Sequence, residues 1–550
     1  MSFEVRRHAP LLVVAWWAAL MIAVVAVRPL TPVDETRVVS VAWEMRLSGD
    51  WLLLRLNGAM YGHKPPLLMW LINVGWSVFG VSESLPRWLT GCFGLGSLAL
   101  LWSLARRLTH GRDDIATLSI LIAGSTVGWM VFTGAVMYDL ALSFFVLLAA
   151  LNIARAAQGA RFAWVMVGVA LGLGILTKGP VALLHVLPLA LLGPWWVRRD
   201  PAAAARSWGH WYSGVGIAVV VGATIALVWA VPTAVAGGEA FRNEIFWSQS
   251  VDRMVSTIQH AAPIWYYLAF LPLLLFPWLL MPSIWRGFVA LVRSERSDLS
   301  RFALAWSIPV LVAFSFFKSK LIYYLLPVTP AFALLAANGM AALAKPAGRA
   351  DRWVMAAILV VTALALIVVP QVPRTAHLIS PGEVPLLWIS AGALAVLAVA
   401  AAIWRSEGSA ATAATIGSTA VLMVVAMYAG IGRAALDTYD LHPVARVLAV
   451  AQQNGRPIAH HGKYHGQFQF IGRLERPLEV VQLPDDLRLW AERHPEGSVV
   501  VYSYRPLEHV SAAPQVMQKF KGRYVYVWRG ADLAGVSDGW TRGRPADEGS

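Results

Sequence analysis

The chain has few charged residues and almost no cysteine, and both facts limit the classes of protein to which it can belong. Of its 550 residues, 14% are charged and 58% are hydrophobic, whereas soluble domains carry about 25% charged and about 45–50% apolar residues. Because a soluble core cannot absorb this excess, the sequence predicts an integral membrane protein. The single cysteine, Cys92, excludes an intrachain disulfide framework and a cysteine-based zinc site.

The sequence also lacks a recognisable internal repeat, which argues against an inverted-repeat transporter. A membrane-spanning helix needs about 20 apolar residues. The hydrophobic pattern predicts about thirteen such segments, and the first is expected to be an uncleaved helix rather than a signal peptide. The predicted spans lie near residues 10–28, 88–107, 115–134, 138–157, 163–177, 180–197, 213–232, 264–285, 299–317, 321–343, 353–370, 383–404 and 412–431.

The net charge of +14 would suggest nucleic acid in a soluble protein. In a membrane protein it fits the positive-inside rule and attraction to anionic headgroups. Every second predicted loop is basic, so we expect a cytoplasmic N-terminus and, with an odd number of spans, an external C-terminus. Loops on the outer side nevertheless carry basic residues that topology does not explain, and these are candidates for holding an anion: Arg37, Lys64, Lys178, Arg242, Arg253, Lys318 and Lys320.

The expected fold is a polytopic α-helical membrane protein with interfacial helices in its outer loops and a small C-terminal α/β domain. Residues 1–434 are predicted to form the transmembrane domain. Its two long outer segments, 29–87 and 231–263, contain amphipathic stretches that could lie on the bilayer or roof a cavity. From about Ala435 the sequence becomes polar and contains β-rich runs. Residues 435–550 are therefore predicted to form a soluble domain on the outer side.

Two charged motifs lie in the first outer segment. Asp34, Glu35 and Arg37 follow the first span directly, and solvated surface charge is the alternative to a functional role. Lys64 precedes two prolines that favour the start of a helix. A cation held rigidly at a helix N-terminus suits a phosphate, although a turn with a snorkelling lysine would look the same.

Further polar residues lie at the ends of predicted spans. Asp139 begins a span, where a functional acid and a helix cap both fit. Lys178 lies in a Gly-Pro turn between hydrophobic helices, and Lys318 and Tyr324 enter a later span together. An aromatic belt explains the tyrosine but not the lysine. Cations could stabilise a leaving lipid phosphate and a carboxylate could accept the acceptor's proton, as transfer from a membrane-anchored sugar phosphate requires.

In this order and spacing, the motifs Asp-Glu-x-Arg, Lys-Pro-Pro, Thr-Lys-Gly-Pro and Tyr-x-x-Pro resemble the bacterial 4-amino-4-deoxy-L-arabinose transferase family. That family lies within the protein-O-mannosyltransferase-like superfamily of membrane glycosyltransferases. The resemblance covers the chain up to about residue 340. It implies an undecaprenyl-phosphate-sugar donor, inverting transfer at the periplasmic face and, as in the best-known members, lipid A as the acceptor.

The resemblance also implies roles for the motif residues. Asp34 would be the principal catalytic acid/base residue and Asp139 the second outer acid, with Glu35 a further candidate. The residues expected to hold or support the donor phosphate are Lys64, Arg253, Tyr324, Lys178, Lys318 and Arg37.

The sequence departs from the family at a possible divalent-metal site. Lipid A-modifying relatives often carry Glu before Lys-Pro-Pro and His five residues before the arginine that Arg253 matches. Here those positions are His63 and Ser248. Because catalytic zinc normally needs three protein ligands, we expect no such zinc site and interpret His63 as a hydrogen-bonding group.

Three other functions remain open from the sequence. The acceptor could be another glycan, lipid or protein, as in mannosyltransferases. A lipid-linked-sugar transporter or flippase would instead place ionisable residues through the membrane midplane, whereas these gather on one predicted side. A scaffold with an outer sensor domain would leave the outer cations without a role.

Overall fold

A computed structural model describes most of the chain. The described residues are 2–197, 207–245, 262–293, 297–372, 379, 381–404, 407–432, 436–504, 506–507 and 512–533. The helices up to residue 243 are α1 (Ser2–Val27), α2 (Asp34–Ser48), α3 (Leu67–Phe79), α4 (Ser84–Leu108), α5 (Asp113–Gly124), α6 (Val127–Phe132), α7 (Tyr138–Ala157), α8 (Ala163–Lys178), α9 (Val181–Leu191), α10 (Gly193–Trp196) and α11 (Trp208–Asn243). The short strands β1 (Arg55–Leu56) and β2 (Ala59–Met60) form a hairpin between α2 and α3.

The remaining elements continue in chain order. The helices are α12 (Tyr266–Leu274), α13 (Pro282–Arg293), α14 (Asp298–Phe316), α15 (Thr329–Ala341), α16 (Arg349–Val368), α17 (Val384–Ile403), α18 (Ser409–Met427), α19 (His442–Gln453), α20 (Pro484–Arg493) and α21 (Gly530–Leu533). The strands are β3 (Ile458–His461), β4 (Glu479–Val481), β5 (Ser498–Ser503), β6 (Val516–Phe520) and β7 (Arg523–Arg529).

Within the described ranges, nine helices are long and apolar enough to cross a membrane, and three more apolar helices are shorter. The chain is therefore a multi-span α-helical membrane protein with a small C-terminal sheet, as the sequence predicted. The count of thirteen spans stays a prediction.

Two predicted spans are broken into shorter helices. The stretch expected as one span over residues 115–134 divides into α5 and α6, and the Thr126 side chain caps α6 by accepting from Trp129 N. The stretch expected over 264–285 breaks near Pro277, which has no N–H to continue a helix. The Phe276 carbonyl at this second break accepts from Val127 N at the first break, at 2.8 Å. This hydrogen bond pairs one backbone group from each break.

The first compact unit comprises residues 1–27, 63–68 and 87–432 and contains most of the hydrophobic helices. Glycines allow close helix crossings within it, as membrane helices commonly require. A Cβ at Gly172 on α8 would lie 2.7 Å from the Cβ of Ile225 on α11. A Cβ at Gly287 on α13 would lie 2.7 Å from the carbonyl carbon of Gly339 on α15. Backbone meets backbone at this second crossing, which leaves no flexible side chain to move aside.

The second compact unit comprises residues 28–62, 69–86 and 433–550. Its five-stranded sheet has the order β4-β3-β5-β7-β6. β3 runs parallel to β4 and β5, whereas β5, β7 and β6 are antiparallel neighbours. Most of the first predicted outer segment thus belongs to one unit with the C-terminal sheet, while residues 63–68 belong to the first unit. The assignment of residues 435–550 as a separate soluble domain stays a prediction.

α2 is held in this unit by the loop after β3. Ser40 Oγ donates to the Gly466 carbonyl at 2.6 Å and accepts from Phe470 N at 3.2 Å. Trp43 Nε1 donates to the Leu474 carbonyl at 2.9 Å. These bonds satisfy polar groups that would otherwise be buried unpaired, and they fix the orientation of the helix that begins at Asp34.

The substitution Gly287→Ala tests the close crossing of α13 and α15. The added methyl group must push two backbones apart, and overpacking of this kind costs about 1–3 kcal/mol. We therefore expect a lower Tm for the purified protein in detergent. Gly392→Ala on α17 is the matched control, because a Cβ there meets nothing within 4 Å. An equal Tm change in both variants would contradict the packing argument.

A second prediction concerns pH and the second unit. Hydrogen bonds to Asp440 and to Glu83, the latter at 2.8 Å, raise the pKa of His442 from 6.5 to about 9. A raised pKa means that the stabilisation is complete below pH 6.5 and is lost as the pH rises through about 9. The parent Tm should therefore fall between pH 7 and 10 more steeply than that of His442→Gln, as followed by tryptophan fluorescence. Parallel pH profiles would exclude this contribution.

Candidate active site

Two opposite charges meet at the ends of α7 and α8. Asp139 lies in the first turn of α7 and Lys178 is the last residue of α8. Each charge therefore suits the dipole of its own helix end. Lys178 Nζ lies 2.5 Å from Asp139 Oδ1, and the two side chains are 8% and 1% exposed. Lys178, predicted as a supporting cation, is thus the ion-pair partner of the predicted second acid.

Two tyrosines complete the surroundings of Lys178. Tyr323 and Tyr324 lie in a 3-10 helix, Ile322–Val328, and Lys178 Nζ is 5.3 and 4.8 Å from their ring centroids. The negative face of an aromatic ring attracts a cation at such distances without neutralising it. The structure therefore brings together three predicted site residues: Asp139, Lys178 and Tyr324.

The Lys-Pro-Pro motif lies in the same compact unit. Lys64 Nζ is 5.8 Å from the ring centroid of Tyr138, the residue next to Asp139. His63 Nε2 lies 3.6 Å from Glu244 Oε1. Tyr138 and Glu244 were not predicted as site residues, and only the position of Tyr138 beside the predicted acid could have indicated it.

His63 and Glu244 are described side chains of metal-ligating types beside the Lys-Pro-Pro motif. No group of three or more His, Cys, Asp or Glu side chains able to hold a metal occurs in the described part of the chain. His63 and Glu244 supply two donors, fewer than catalytic zinc requires. Arg253 and Ser248, which the sequence linked to this site, lie outside the described residues.

The two lysines of the later motif differ in burial. Lys320 is 4% exposed, and its ammonium donates to the carbonyls of Ala262 and Phe317 at 2.7 and 2.5 Å. The Lys320 ammonium therefore links the backbone at Ala262 to the backbone at Phe317. Lys318 is exposed, and no described carboxylate forms an ion pair with it. Its predicted role in phosphate binding stays a prediction.

The acidic motif after the first span lies in the second compact unit. Glu35 Oε2 accepts from Thr31 N at 2.7 Å and lies 3.0 Å from Arg28 Nη2, so its carboxylate holds the turn before α2. Asp34, by contrast, has a side chain that is 63% exposed, and its Oδ1 lies 3.5 Å from Arg37 Nη2. Of these two acids, Asp34 has the exposed side chain and Glu35 the buried one, at 63% and 2% exposure.

Comparison with known proteins shows that the chain is similar to membrane glycosyltransferases. Residues 63–233 match the sequence model of the Dolichyl-phosphate-mannose-protein mannosyltransferase family. The chain is 30% identical over 330 residues to an undecaprenyl phosphate-alpha-4-amino-4-deoxy-L-arabinose arabinosyl transferase of Edwardsiella ictaluri. It is 31% identical over 342 residues to the corresponding transferase 1 of Pseudomonas fluorescens. These matches span 58% and 60% of this chain, but only 57% and 60% of the two relatives' own length.

The fold matches solved structures over nearly the whole chain. ArnT from Cupriavidus metallidurans bound to undecaprenyl phosphate superposes with a TM-score of 0.72 at 22% identity, covering 94% of this chain and 96% of that one. Its apo state gives 0.73 at 21% identity, covering 94% and 97%. The chain is thus a multi-span membrane protein with the ArnT fold. The resemblance to the 4-amino-4-deoxy-L-arabinose transferase-like family within the protein-O-mannosyltransferase-like glycosyltransferases is confirmed.

The ion pair can be tested by a double-mutant cycle. Breaking a buried pair leaves one uncompensated charge and costs about 3–5 kcal/mol. We expect Asp139→Asn and Lys178→Met each to lower the unfolding temperature strongly. The double variant should recover part of the loss, because it leaves neither charge unpaired. Strictly additive losses in thermal unfolding would show that the two residues stabilise the protein independently.

Proposed function

We propose that the chain is an inverting glycosyltransferase that moves a sugar from a polyprenyl phosphate to an envelope acceptor. The observation that carries the proposal is the cluster of Lys178, Asp139 and Tyr324, with Lys64 beside Tyr138. The matched family segment contains four of these residues: Lys64, Tyr138, Asp139 and Lys178. Similar relatives are named as undecaprenyl-phosphate-dependent transferases, which supports undecaprenyl phosphate as the lipid carrier.

The cations would serve the leaving phosphate. When the bond between the sugar C1 and the phosphate oxygen breaks, its electron pair stays on the lipid phosphate, which gains negative charge. Preorganised cations stabilise such developing charge best where water is excluded. Lys178 is held by Asp139 on one side and by aromatic faces on the other, so it needs little reorganisation. In this proposal Lys64, Arg253 and Tyr324 contact the phosphate, with Lys318 and Arg37 as supporting cations.

Asp34 would act as the general base. It accepts the proton of the acceptor hydroxyl while that oxygen bonds to C1 from the face opposite the phosphate, which inverts the configuration. General-base catalysis requires a carboxylate that the substrate can reach, and the Asp34 side chain is 63% exposed. Glu35 already holds the turn before α2, so we assign it a structural role. The role of Asp139 is to position Lys178.

The donor sugar proposed is 4-amino-4-deoxy-L-arabinose, and the acceptor is lipid A. The names of similar transferases support the sugar, and the resemblance of the motifs supports the acceptor. Another glycan, lipid or protein acceptor is the alternative. We place the protein in the bacterial inner membrane with a periplasmic site, which the bacterial relatives and the resemblance of the motifs support. The alternation of basic predicted loops supports a cytoplasmic N-terminus.

The test is sugar transfer by purified protein in lipid nanodiscs, with a polyprenyl-phosphate sugar and lipid A. Loss of the general base in Asp34→Asn should reduce kcat by about 10²–10⁴-fold. Loss of a phosphate-binding cation in Lys64→Ala should reduce it by about 10²–10³-fold. Mass spectrometry of lipid A from cells with and without the protein would identify the acceptor.

Matched controls remove the same charges elsewhere. Asp485→Asn on α20 and Lys463→Ala in the loop after β3 change exposed residues outside the proposed site and should transfer sugar like the parent. Transfer by Asp34→Asn at the parental rate would refute the base assignment. A parent protein that transfers sugar to none of the acceptors would refute the proposed function itself.

A further inference from the structure

Phe314 is a buried residue on which four aromatic side chains pack. It lies in the last turn of α14 and is 1% exposed. Its ring centroid is 5.3 Å from that of His185 on α9, 6.2 Å from that of Tyr267 on α12 and 5.3 Å from that of Phe317. The fourth ring is that of Tyr324, at 5.8 Å. All five residues belong to the first compact unit, so Phe314 joins the 3-10 helix of Tyr324 to α9 and α12.

The ring of Tyr324 lies in a segment that gives it little support of its own. Its 3-10 helix, Ile322–Val328, is short, and 3-10 helices have poorer hydrogen-bond geometry than α-helices. Phe314 belongs instead to an α-helix of 19 residues. The planes of the two rings are inclined at 38°, and the Tyr324 centroid is 4.8 Å from Lys178 Nζ. Phe314 therefore packs on the ring that lies over the buried ammonium group.

Tyr323 does not give Tyr324 the same support. The two ring centroids are 5.4 Å apart and their planes are inclined at 83°. These tyrosines are consecutive residues of one 3-10 helix, so a shift of that helix moves both. The contact from Phe314 comes from a separate helix. It therefore restricts the side-chain torsions of Tyr324 independently of Tyr323.

We propose that Phe314 is a positioning residue for the donor, because it holds Tyr324 where the tyrosine hydroxyl can contact the donor phosphate. This inference rests on the proposed function, in which Tyr324 contacts that phosphate. Phe314 is buried among rings, so it acts through Tyr324 and does not touch the donor itself. A binding group is effective only when packing locks its side-chain conformation. A side chain without any polar atom thus helps to set the affinity for a charged donor.

The experiment measures steady-state transfer by the full-length protein in lipid nanodiscs, with the polyprenyl-phosphate sugar and lipid A varied in turn. Phe314→Met removes the ring and leaves a flexible side chain that can fill the space. Phe314→Leu also lacks the ring, so the test does not depend on one replacement folding. Tyr324→Phe keeps its ring and removes the hydroxyl, and a double variant combines Phe314→Met with Tyr324→Phe.

Phe302→Met is the matched control. Phe302 is also fully buried on α14, about 18 Å from Phe314 along the helix axis. Its ring packs on Trp196 and Trp306, at centroid distances of 4.8 and 6.4 Å. This variant therefore removes a comparable aromatic contact from the same helix at a distance from Tyr324.

We expect Phe314→Met and Phe314→Leu to raise the donor KM by about three- to tenfold, the effect of one lost aromatic pair. The acceptor KM should not change, and Phe302→Met should match the parent in both constants. Tyr324→Phe should also raise the donor KM. Adding Phe314→Met to it should raise the donor KM no further, because the hydroxyl that Phe314 positions is then absent.

Multiplying effects in the double variant would overturn the inference, since Phe314 would then act independently of the Tyr324 hydroxyl. An unchanged donor KM in the Phe314 variants, an equal rise in Phe302→Met, or a rise in the acceptor KM alone would overturn it as well. Each of these results leaves the proposed function standing, because the parent still transfers sugar. Absence of transfer by the parent would remove the proposed function and this inference together.

Discussion

The buried ion pair between Asp139 and Lys178 is the interaction on which the membrane part of the site depends. A lysine at the end of a hydrophobic helix is costly unless a partner compensates its charge. Asp139 supplies that partner at the start of α7, and α8 ends at Lys178, directly before Gly179, which has a φ of 84°. The pair therefore joins the start of α7 to the end of α8. It also fixes the rings of Tyr323 and Tyr324 around one ammonium group.

A different constraint governs Asp34. A short amphipathic helix has little stability of its own, yet α2 must hold an exposed carboxylate in a defined position. Its buried face is bonded to the loop after β3 through Ser40 and Trp43. Phe470 of that loop stacks on Trp76 at 4.9 Å. Residues 40, 43 and 76 thus contact the loop after β3 within one compact unit, and this loop holds the helix that carries the acid.

The sequence predicted the membrane helices and the motif residues better than the contacts between them. Hydropathy identified the membrane helices, because about 20 apolar residues in a row leave few alternatives. The motifs located Asp139, Lys178 and Tyr324, since charge at a span end is rarely accidental. Sequence could not show that Lys178 pairs with Asp139, because that contact joins residues 39 positions apart. Nor could it separate Glu35, which holds a backbone turn, from its exposed neighbour Asp34.

In each compact unit, aromatic rings lie close to lysine side chains and can orient them. A carboxylate partner holds a lysine but cancels its charge, whereas a ring orients it and leaves that charge available. Lys64 lies over Tyr138 in the first unit, and Lys521 lies over Tyr439 in the second. Lys178 combines both kinds of partner, so its charge is shared with Asp139. A lysine paired with a carboxylate, as Lys178 is with Asp139, is therefore suited to support a phosphate that is already bound.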